Sequence, residues 1–309
     1  MPKFSVVIAV YNKEQHIGKT LESVLNQTFT DFEIIIVNDG STDGSAAIIN
    51  SFEDKRIHYF SQENQGAAAG RNAAIKKASA PYIALLDADD FWFPHYLEEQ
   101  NRLIEKYPDE SVFATAQEII KNNKSFPKPY SLPKNFEEEG LLNYFKASSQ
   151  ASILHSSSTV LKKEVFDKVG YYDHSIKIEQ DTDLYIRIGL NYKVVFSNRI
   201  CSSYYIIENS LFRSAKSLDD KADFSNYSHL EADNPPLKKF LDLNRFSLAI
   251  YAKLINDRDG FKRNFEKINL KNLNKKQRLL LRLSPKSTRF LYSLKNFFER
   301  FGIRLSAFK

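Results

Sequence analysis

Five polar side chains stand behind apolar runs in the first ninety residues, and their chemistries complement one another. Tyr11 follows SVVIAV at 5–10, Asp39 follows FEIIIVN at 32–38, and Asp87, Asp89 and Asp90 follow PYIALL at 81–86. Arg71 lies in the first turn of a small-residue segment running from Gly66 to Ala78. Carboxylates gathered this closely repel one another unless a cation neutralises them, and aspartates with a few waters are usual ligands of Mg²⁺ or Mn²⁺. At a helix start, backbone N–H groups and the helix dipole already favour an anion, which Arg71 reinforces. A divalent-cation site beside an anion site is what a nucleoside diphosphate requires. Taken singly, each residue has a plainer explanation. DADD can cap a helix, Asp39 in NDGS can shape a turn, Arg71 can pair with a surface acid, and Tyr11 can pack on a neighbouring helix. Their joint placement carries the functional expectation.

The elements that must hold these residues alternate in a regular order. SVVIAV and FEIIIVN are short β-branched runs, the pattern of strands buried on both faces. RIHYF at 56–60 and PYIALL supply a third and a fourth strand. Between them, Ile17, Leu21, Val24 and Leu25 form one helical stripe, opened by an apparent capping box of Asn12 with Gln15. DGSTDGS at 39–45 is a turn, after which a helix carries Ile48 and Phe52, and the segment Gly66–Ala78 is a third helix. Strand and helix alternating at this spacing predict right-handed βαβ crossovers, an α/β fold and a mainly parallel sheet. In such sheets ligands bind at the carboxyl ends of the strands, where the polar residues lie. Pro94 is expected in the first turn of a further helix whose Leu97, Leu103, Ile104 and Tyr107 face the core. Residues 121–150, rich in Lys, Pro and Ser, predict loop and a short helix. ILHSSSTVLKK at 153–163 predicts a strand leading into a helix ended by Gly170. DLYIRIGL at 183–190 predicts a helix and KVVFSN at 193–198 a strand. From about 235 the pattern is helical and basic.

The chain has 309 residues, with 44 Lys+Arg against 38 Asp+Glu and a formal charge of +6. That length suits one large domain with an appendage, or two domains. The single cysteine, Cys201, can form no internal disulfide and no Cys-based zinc site, so a reducing cytoplasm is the expected compartment. Apolar runs such as IIIV at 34–37 and IALL at 83–86 fall far short of the ~18 residues of a membrane span. Asn12, Lys13 and Glu14 interrupt any signal-peptide core. Charge is unevenly spread: residues 260–309 hold 14 Lys/Arg and only Glu266 and Glu299 as acids, a balance of +12, leaving −6 for the rest. A basic tail points to an anionic partner, lipid headgroups or nucleic acid. Phe290, Leu294, Phe297, Phe301 and Leu305 recur at three- to four-residue spacing, with Arg289, Lys295, Arg300 and Arg304 off that stripe. This fits a helix lying on an anionic membrane, or one packed on the main domain with a solvated basic face. No nucleic-acid reading motif is present, so nucleic acid is not expected as a partner.

SVVIAVYN, VNDGSTDGS, NQGAAAGRNAAI and LLDADD, in that order, resemble the signature of the family 2 inverting glycosyltransferases with the GT-A fold. The resemblance covers roughly residues 4–215. It implies a Rossmann-like catalytic domain over 1–215 and leaves 216–309 as a helical, basic C-terminal extension. It also implies that Tyr11 and Asp39 contact the nucleoside base, Asp39 accepting from a ring N–H. Arg71 would sit near base and diphosphate. Asp87 and Asp89 would be the DxD pair, Asp87 towards the ribose and Asp89 holding Mg²⁺ or Mn²⁺. The family's acidic pair after a G-x-F/Y-D stretch corresponds to GYYDHSIKIEQDTDLYIRI at 170–188. Anchoring on Asp183, Leu184 and Arg187 puts Asp181 at the catalytic-base position; the plainer role is capping the helix that follows. The family's preceding Glu is replaced by Gln180, which leaves open whether Glu179 shares the role.

The implied activity is inverting, metal-dependent transfer of one sugar from a nucleotide-sugar to a glycan or lipid-linked acceptor, at the cytoplasmic face of a membrane or in the cytoplasm. One base and one metal suffice, because the acceptor hydroxyl needs a proton acceptor and the leaving diphosphate needs charge stabilisation. Processive members carry Q-x-x-R-W and membrane spans; the only tryptophan here is Trp92, preceded by Phe91. A dehydrogenase and a P-loop NTPase are disfavoured by the absence of G-x-G-x-x-G and of G-x-x-x-x-G-K-[ST]. The remaining alternatives are a sugar nucleotidyltransferase, which would need a Gly-rich loop where AVYNKEQ stands, and a non-catalytic nucleotide-sugar or glycan-binding module. His155, beside a strand, is expected to be structural.

Overall fold

The computed structural model describes residues 1–121, 124–205, 218, 221–300 and 306–308. β1 (Phe4–Val10) and β2 (Phe32–Asp39) bury almost every side chain, as strands covered on both sheet faces must. With β3 (Ile57–Gln62) and β4 (Tyr82–Asp87) they form a parallel block in the order β3-β2-β1-β4. Its crossovers are α1 (Ile17–Leu25), α2 (Ser45–Asn50) and α3 (Ala67–Lys77). The chain winds outward from β1 to β3 and then returns to place β4 on the other side of β1. That reversal is a topological switch point, where a crevice opens at the strand ends.

After the two-residue β5 (Phe91–Trp92) and α4 (Tyr96–Lys106), the sheet continues through β6 (Val112–Lys121), β7 (Lys124–Pro127), β8 (Glu139–Leu142), β9 (Thr159–Lys162) and β10 (Val194–Tyr205). Antiparallel β9 sits between β4 and β6, and β10 runs parallel to β6, so six of the ten strands share one direction. Between these strands lie α5 (Tyr144–Ala147), α6 (Glu164–Val169) and α7 (Gln180–Asn191). One core layer joins the sheet to α1 and α4 through residues such as Leu21, Leu97 and Leu103; the other joins it to α3, α6 and α7. Trp92 lies fully buried, stacked on Tyr96 at 4.1 Å between centroids, with its indole N–H donating to the Ser157 carbonyl at 2.9 Å.

Among the described residues after β10, the α-helices are α8 (Pro235–Ile255), α9 (Arg258–Glu266), α10 (Lys275–Arg282) and α11 (Pro285–Arg300). α8 shares the main core, its Phe240 ring lying 5.3 Å from Tyr144 and 5.6 Å from Phe145. A separate small cluster of Phe246, Ile268, Leu273 and Leu281 holds α9 and α10 against the other side of α8. Residues 206–217, which contain the expected boundary at 215, lie outside the described residues, as do Phe301, Arg304 and Leu305. None of the described helices is long and apolar enough to cross a membrane.

Three local expectations need correction. Asn12 does not cap α1: it adopts φ 50, and its Oδ1 accepts from the Thr42 amide at 2.8 Å, so its side chain ties β1 to the loop after β2. α1 instead starts at Ile17, with no side-chain cap on His16. Pro94 stands two residues before α4, where its carbonyl accepts from the Thr28 amide at 2.8 Å. Residues 121–150 include β7 and β8, short strands whose mixed composition carries no period-two signal.

α7 enters through strained backbone. Glu179, its N-cap, has φ 69, a left-handed conformation uncommon for a residue with a Cβ. Burial raises its carboxyl to about 7, with Lys221 opposing and the Asp181 carboxylate adding to the shift. The folded chain therefore holds this proton to higher pH than the unfolded chain does, and stability falls as pH rises from about 4.5 through about 7. Glu179→Gln should flatten that slope, read as melting temperature against pH; an unchanged slope would show that Glu179 is already solvated. Further along α7, a Cβ on Gly189 would lie 2.6 Å from the Tyr144 ring. Gly189→Ala should lower stability in urea by about 1–2 kcal/mol despite alanine's better helix propensity, because overpacking outweighs it. A raised midpoint would mean the Tyr144 ring yields freely.

Candidate active site

The switch point between β1 and β4 brings the expected residues together. Asp87 ends β4, and the Arg71 guanidinium reaches it from α3, Nη2 donating to Oδ1 at 2.6 Å. Arg71 Cζ lies 5.5 Å from the centre of the Tyr172 ring, and its buried Nη1 has no hydrogen-bond partner among the described residues. Burial works against the ionised Asp87, but the Arg71 cation more than offsets it and holds the carboxyl below its ordinary value. The same pairing raises Arg71. A buried guanidinium with one arm on a carboxylate and the other unsatisfied suits a bridging anion.

Asp39 and Tyr11 form the other end of the crevice. Asp39 is buried at the end of β2, its Oδ1 accepting from Gln62 Nε2 at 2.6 Å and the Gln65 amide at 3.1 Å, its Oδ2 from the Gly66 amide at 2.8 Å. These bonds fix the carboxylate and leave Oδ2 room for one more donor. Gly66, at φ 92, supplies the turn that aims its N–H there, and at Gly70 a Cβ would stand 3.2 Å from Ala9. The small residues of α3 thus let the helix start close against β1 and β2. Tyr11 is 49% exposed and stacks on no other aromatic ring among the described residues.

Asp89 and Asp90 separate in role. Among the described residues Asp89 is paired only with Lys13, Nζ to Oδ2 at 2.5 Å. Asp90 is buried, accepting from Ser157 Oγ at 2.5 Å and the Tyr205 amide at 3.2 Å, and burial with the neighbouring Asp87 and Asp89 pushes it well above its usual range. Asp87, Asp90 and His155 offer ligand atoms within 4.8 Å of one another, a possible carboxylate–histidine metal site. Both Asp90 oxygens and His155 Nδ1 are already engaged, the latter by the Ser157 amide at 3.2 Å. Burial and then the Lys128 cation hold His155 down to about 3, so its ring is neutral. The donors that remain open are Asp87 Oδ2 and Asp89 Oδ1. Asp89, whose present partner is a displaceable ammonium, fits a hard divalent cation best.

Asp181 is the second residue of α7, and its Oδ1 accepts from the Thr182 amide at 2.8 Å, so it also serves the helix start. Burial raises its carboxyl, only partly countered by the Arg71 cation. Glu179, two residues earlier, is turned towards Lys221. Anchoring by Asp183 and Arg187 is visible in the structure: Arg187 bonds Asp183 Oδ2 at 2.8 Å and the Tyr171 carbonyl at 2.9 Å, tying α7 to the preceding loop.

Three side chains near this cluster escaped the sequence. Lys13 could have been found by the same strand-end logic as Tyr11. Tyr172 sits in GYYD with nothing to distinguish it from a core tyrosine. Lys128 follows β7, with Nζ donating to Gln117 Oε1 at 3.1 Å; burial lowers it to about 8, opposed by the Asp90 and Asp181 carboxylates. Nothing in its local sequence marks it.

The family model for glycosyl transferase family 2 matches residues 5–170. An uncharacterized glycosyltransferase of Rickettsia typhi, RT0329, is 29% identical over 199 residues, 64% of this chain and 62% of that protein. The glycosyltransferase GlyA of Streptococcus pneumoniae is 28% identical over 226 residues, 68% of this chain and 32% of that protein. The chain thus spans less than two thirds of the length of these relatives. Among solved structures, Staphylococcus aureus TarS 1-349 in complex with UDP-GlcNAc has a TM-score of 0.58 at 17% identity, covering 85% of this chain and 90% of that one. The mannosyltransferase PcManGT from Pyrobaculum calidifontis, in complex with GDP-Man and Mn²⁺, has a TM-score of 0.57 at 15% identity, covering 96% and 88%. At such identities the likeness shows the fold, which is GT-A. With that fold, and with a family match over more than half its length, the chain belongs to glycosyl transferase family 2.

Proposed function

We propose that this glycosyltransferase moves a single sugar from a nucleotide-sugar donor to a glycan or lipid-linked acceptor, with inversion at the anomeric carbon and with help from Mg²⁺ or Mn²⁺. The observation that carries this reading is the raised, buried carboxyl of Asp181 in the same charge cluster as Arg71 and Asp87. The acceptor hydroxyl attacks the anomeric carbon from the face opposite the diphosphate. Its proton passes to Asp181, and the bond to the diphosphate oxygen breaks. A carboxylate pushed up by burial is a better proton acceptor near neutral pH than an exposed one. Asp39 accepts from the base, Tyr11 offers its exposed ring to the base plane, Asp87 faces the ribose, and Arg71 Nη1 donates to the diphosphate. Asp89 would hold the divalent cation, which when bound supplies Lewis-acid stabilisation of the departing diphosphate. Complexes of TarS with UDP-GlcNAc and of PcManGT with GDP-Man and Mn²⁺ support a nucleotide-sugar donor and a metal.

Asp181→Asn is nearly isosteric, so donor affinity should survive while kcat falls by about 10²–10⁴, the usual worth of a positioned base. Normal turnover in this variant would remove Asp181 from the mechanism, and a product of retained configuration would overturn single displacement. Asp89→Ala should abolish the metal dependence of donor binding without disturbing the fold, since Asp89 is engaged only by Lys13. Full activity of the unsubstituted enzyme in excess chelator would remove the metal.

The proposal extends to a peripheral position on the cytoplasmic face of an anionic membrane. α11 leaves Phe290 68% and Phe297 53% exposed, with Leu294 beside them, while Thr288 on the opposite side is buried. Lys275, Lys276, Arg278 and Arg282 on α10 and Lys286 at the start of α11 are also exposed. Aromatic and aliphatic side chains held in water beside clustered cations favour an anionic lipid surface, at about 1 kcal/mol per basic residue near it. The protein should bind vesicles containing phosphatidylserine and let go as salt rises. A Phe290→Ser, Leu294→Ser, Phe297→Ser variant should bind them at least about tenfold more weakly, with an unchanged melting temperature. Equal binding by the variant, or none by the unsubstituted chain at low salt, would refute this.

A further inference from the structure

A cavity of about 140 Å³ opens between the loop after α5 and the first half of α8, beside the start of α7. Its polar lining comes from Ser148, Gln150, Ser152, Thr182, Asn244 and Ser247, and no charged side chain reaches it. Aromatic walls are supplied by Tyr144, Phe240 and, from the far end of the chain, Phe308. Phe240, Asn244 and Ser247 are spaced as one helical face, so a single stripe of α8 provides both apolar and polar lining. The Tyr144 hydroxyl is 3.1 Å from Ser152 Oγ, while the Thr182 hydroxyl and the Gln150 amide have no hydrogen-bond partner among the described residues. Thr182 directly follows Asp181, and the Tyr144 hydroxyl is raised by burial and then by the Asp181 carboxylate.

We propose that this cavity binds a neutral sugar ring of the acceptor, so that the C-terminal helical segment forms half of the acceptor site. Neutral hydroxyl and amide groups converging between aromatic walls match the alternating polar edges and apolar faces of a pyranose. The uncharged lining disfavours an acidic sugar or a phosphate, whose desolvation nothing there would offset. The volume accommodates one ring rather than an oligosaccharide, so the rest of the acceptor extends outward past Gln150. The inference rests on Asp181 as the base, because the cavity is an acceptor site only if the attacking hydroxyl can reach that carboxylate.

Saturation-transfer NMR on the full chain tests it, using methyl glucoside, methyl galactoside, methyl mannoside and N-acetylglucosamine, with glucuronate as the charged comparator. At least one neutral probe should receive saturation. That binding should weaken by about tenfold or more when Ser247→Phe fills the cavity from α8, or Ala151→Trp fills it from the loop. Lys239→Ala, on the exposed side of α8, should bind as the unsubstituted chain does. No transfer to any neutral probe, a signal that survives both filling variants, or equal binding of glucuronate would overturn the inference. Thermal stabilisation by UDP or GDP in the same samples keeps the two readings apart. Nucleotide binding without sugar binding refutes the acceptor cavity alone, whereas loss of both in the unsubstituted chain refutes the glycosyl-transfer site.

Discussion

Asp87, Asp90 and Asp181 crowd one largely dry region, and the Arg71 guanidinium, 2.6 Å from Asp87, is the ion-pair partner that makes the crowding tolerable. Removing a carboxylate from water costs several kcal/mol, and a second like charge nearby adds to that cost. Arg71 pairs with Asp87, while the Lys128 cation, its Nζ bonded to Gln117, only tempers the charge on Asp90 and Asp181. The outcome is a division: Asp87 stays ionised against Arg71, while Asp90 and Asp181 are pushed up. Acids driven apart in this way take different tasks. Asp90, bonded to Ser157 and the Tyr205 amide, fastens the end of β4 to the end of β10. Asp181 keeps an oxygen free.

Arg71 can stand there only because α3 begins so close to the sheet. Gly66 turns its amide onto Asp39, and at Gly70 any side chain would press on Ala9 and Asp39. Asn72, the residue after Arg71, then grips the loop before α7 through both backbone polar groups of one residue. Its Nδ2 donates to the Tyr172 carbonyl at 2.8 Å and its Oδ1 accepts from the Tyr172 amide at 3.0 Å. The helix that carries the cation therefore also positions the segment that delivers Asp181. This linkage, spanning 100 residues of sequence, ties the start of α3 to the loop that leads into α7.

What was legible in the sequence follows from burial. β1, β2 and β4 are covered on both faces, so their composition is nearly continuous apolar residue, and the polar residues that end them stand out by contrast. The crevice at the switch point follows from strand order alone, and Tyr11, Asp39, Arg71 and Asp87 all lie along it. β7 and β8, short and half-exposed, carry no comparable pattern, and with them Lys128 went unnoticed. Asn12 misled for a physical reason. Its side chain does satisfy backbone N–H, but across a gap of 30 residues rather than within the next helical turn. Local sequence cannot distinguish those two partners.

The C-terminal segment shows the same limit in another form. An amphipathic pattern states that a helix has an apolar face, not what covers it. α8 buries Phe240, Leu241 and Leu248 in the main core, so it stands as an integral layer of the structure. α11 has the same kind of stripe, yet Phe290, Leu294 and Phe297 remain in water while Lys121 and Lys295 both pair with Glu299. That ion pair fastens α11 to β6 by its polar side, which leaves the apolar side turned outward. An ion pair at the end of a core strand thus holds α11 by its polar side, with Phe290 and Leu294 on the side turned away from it.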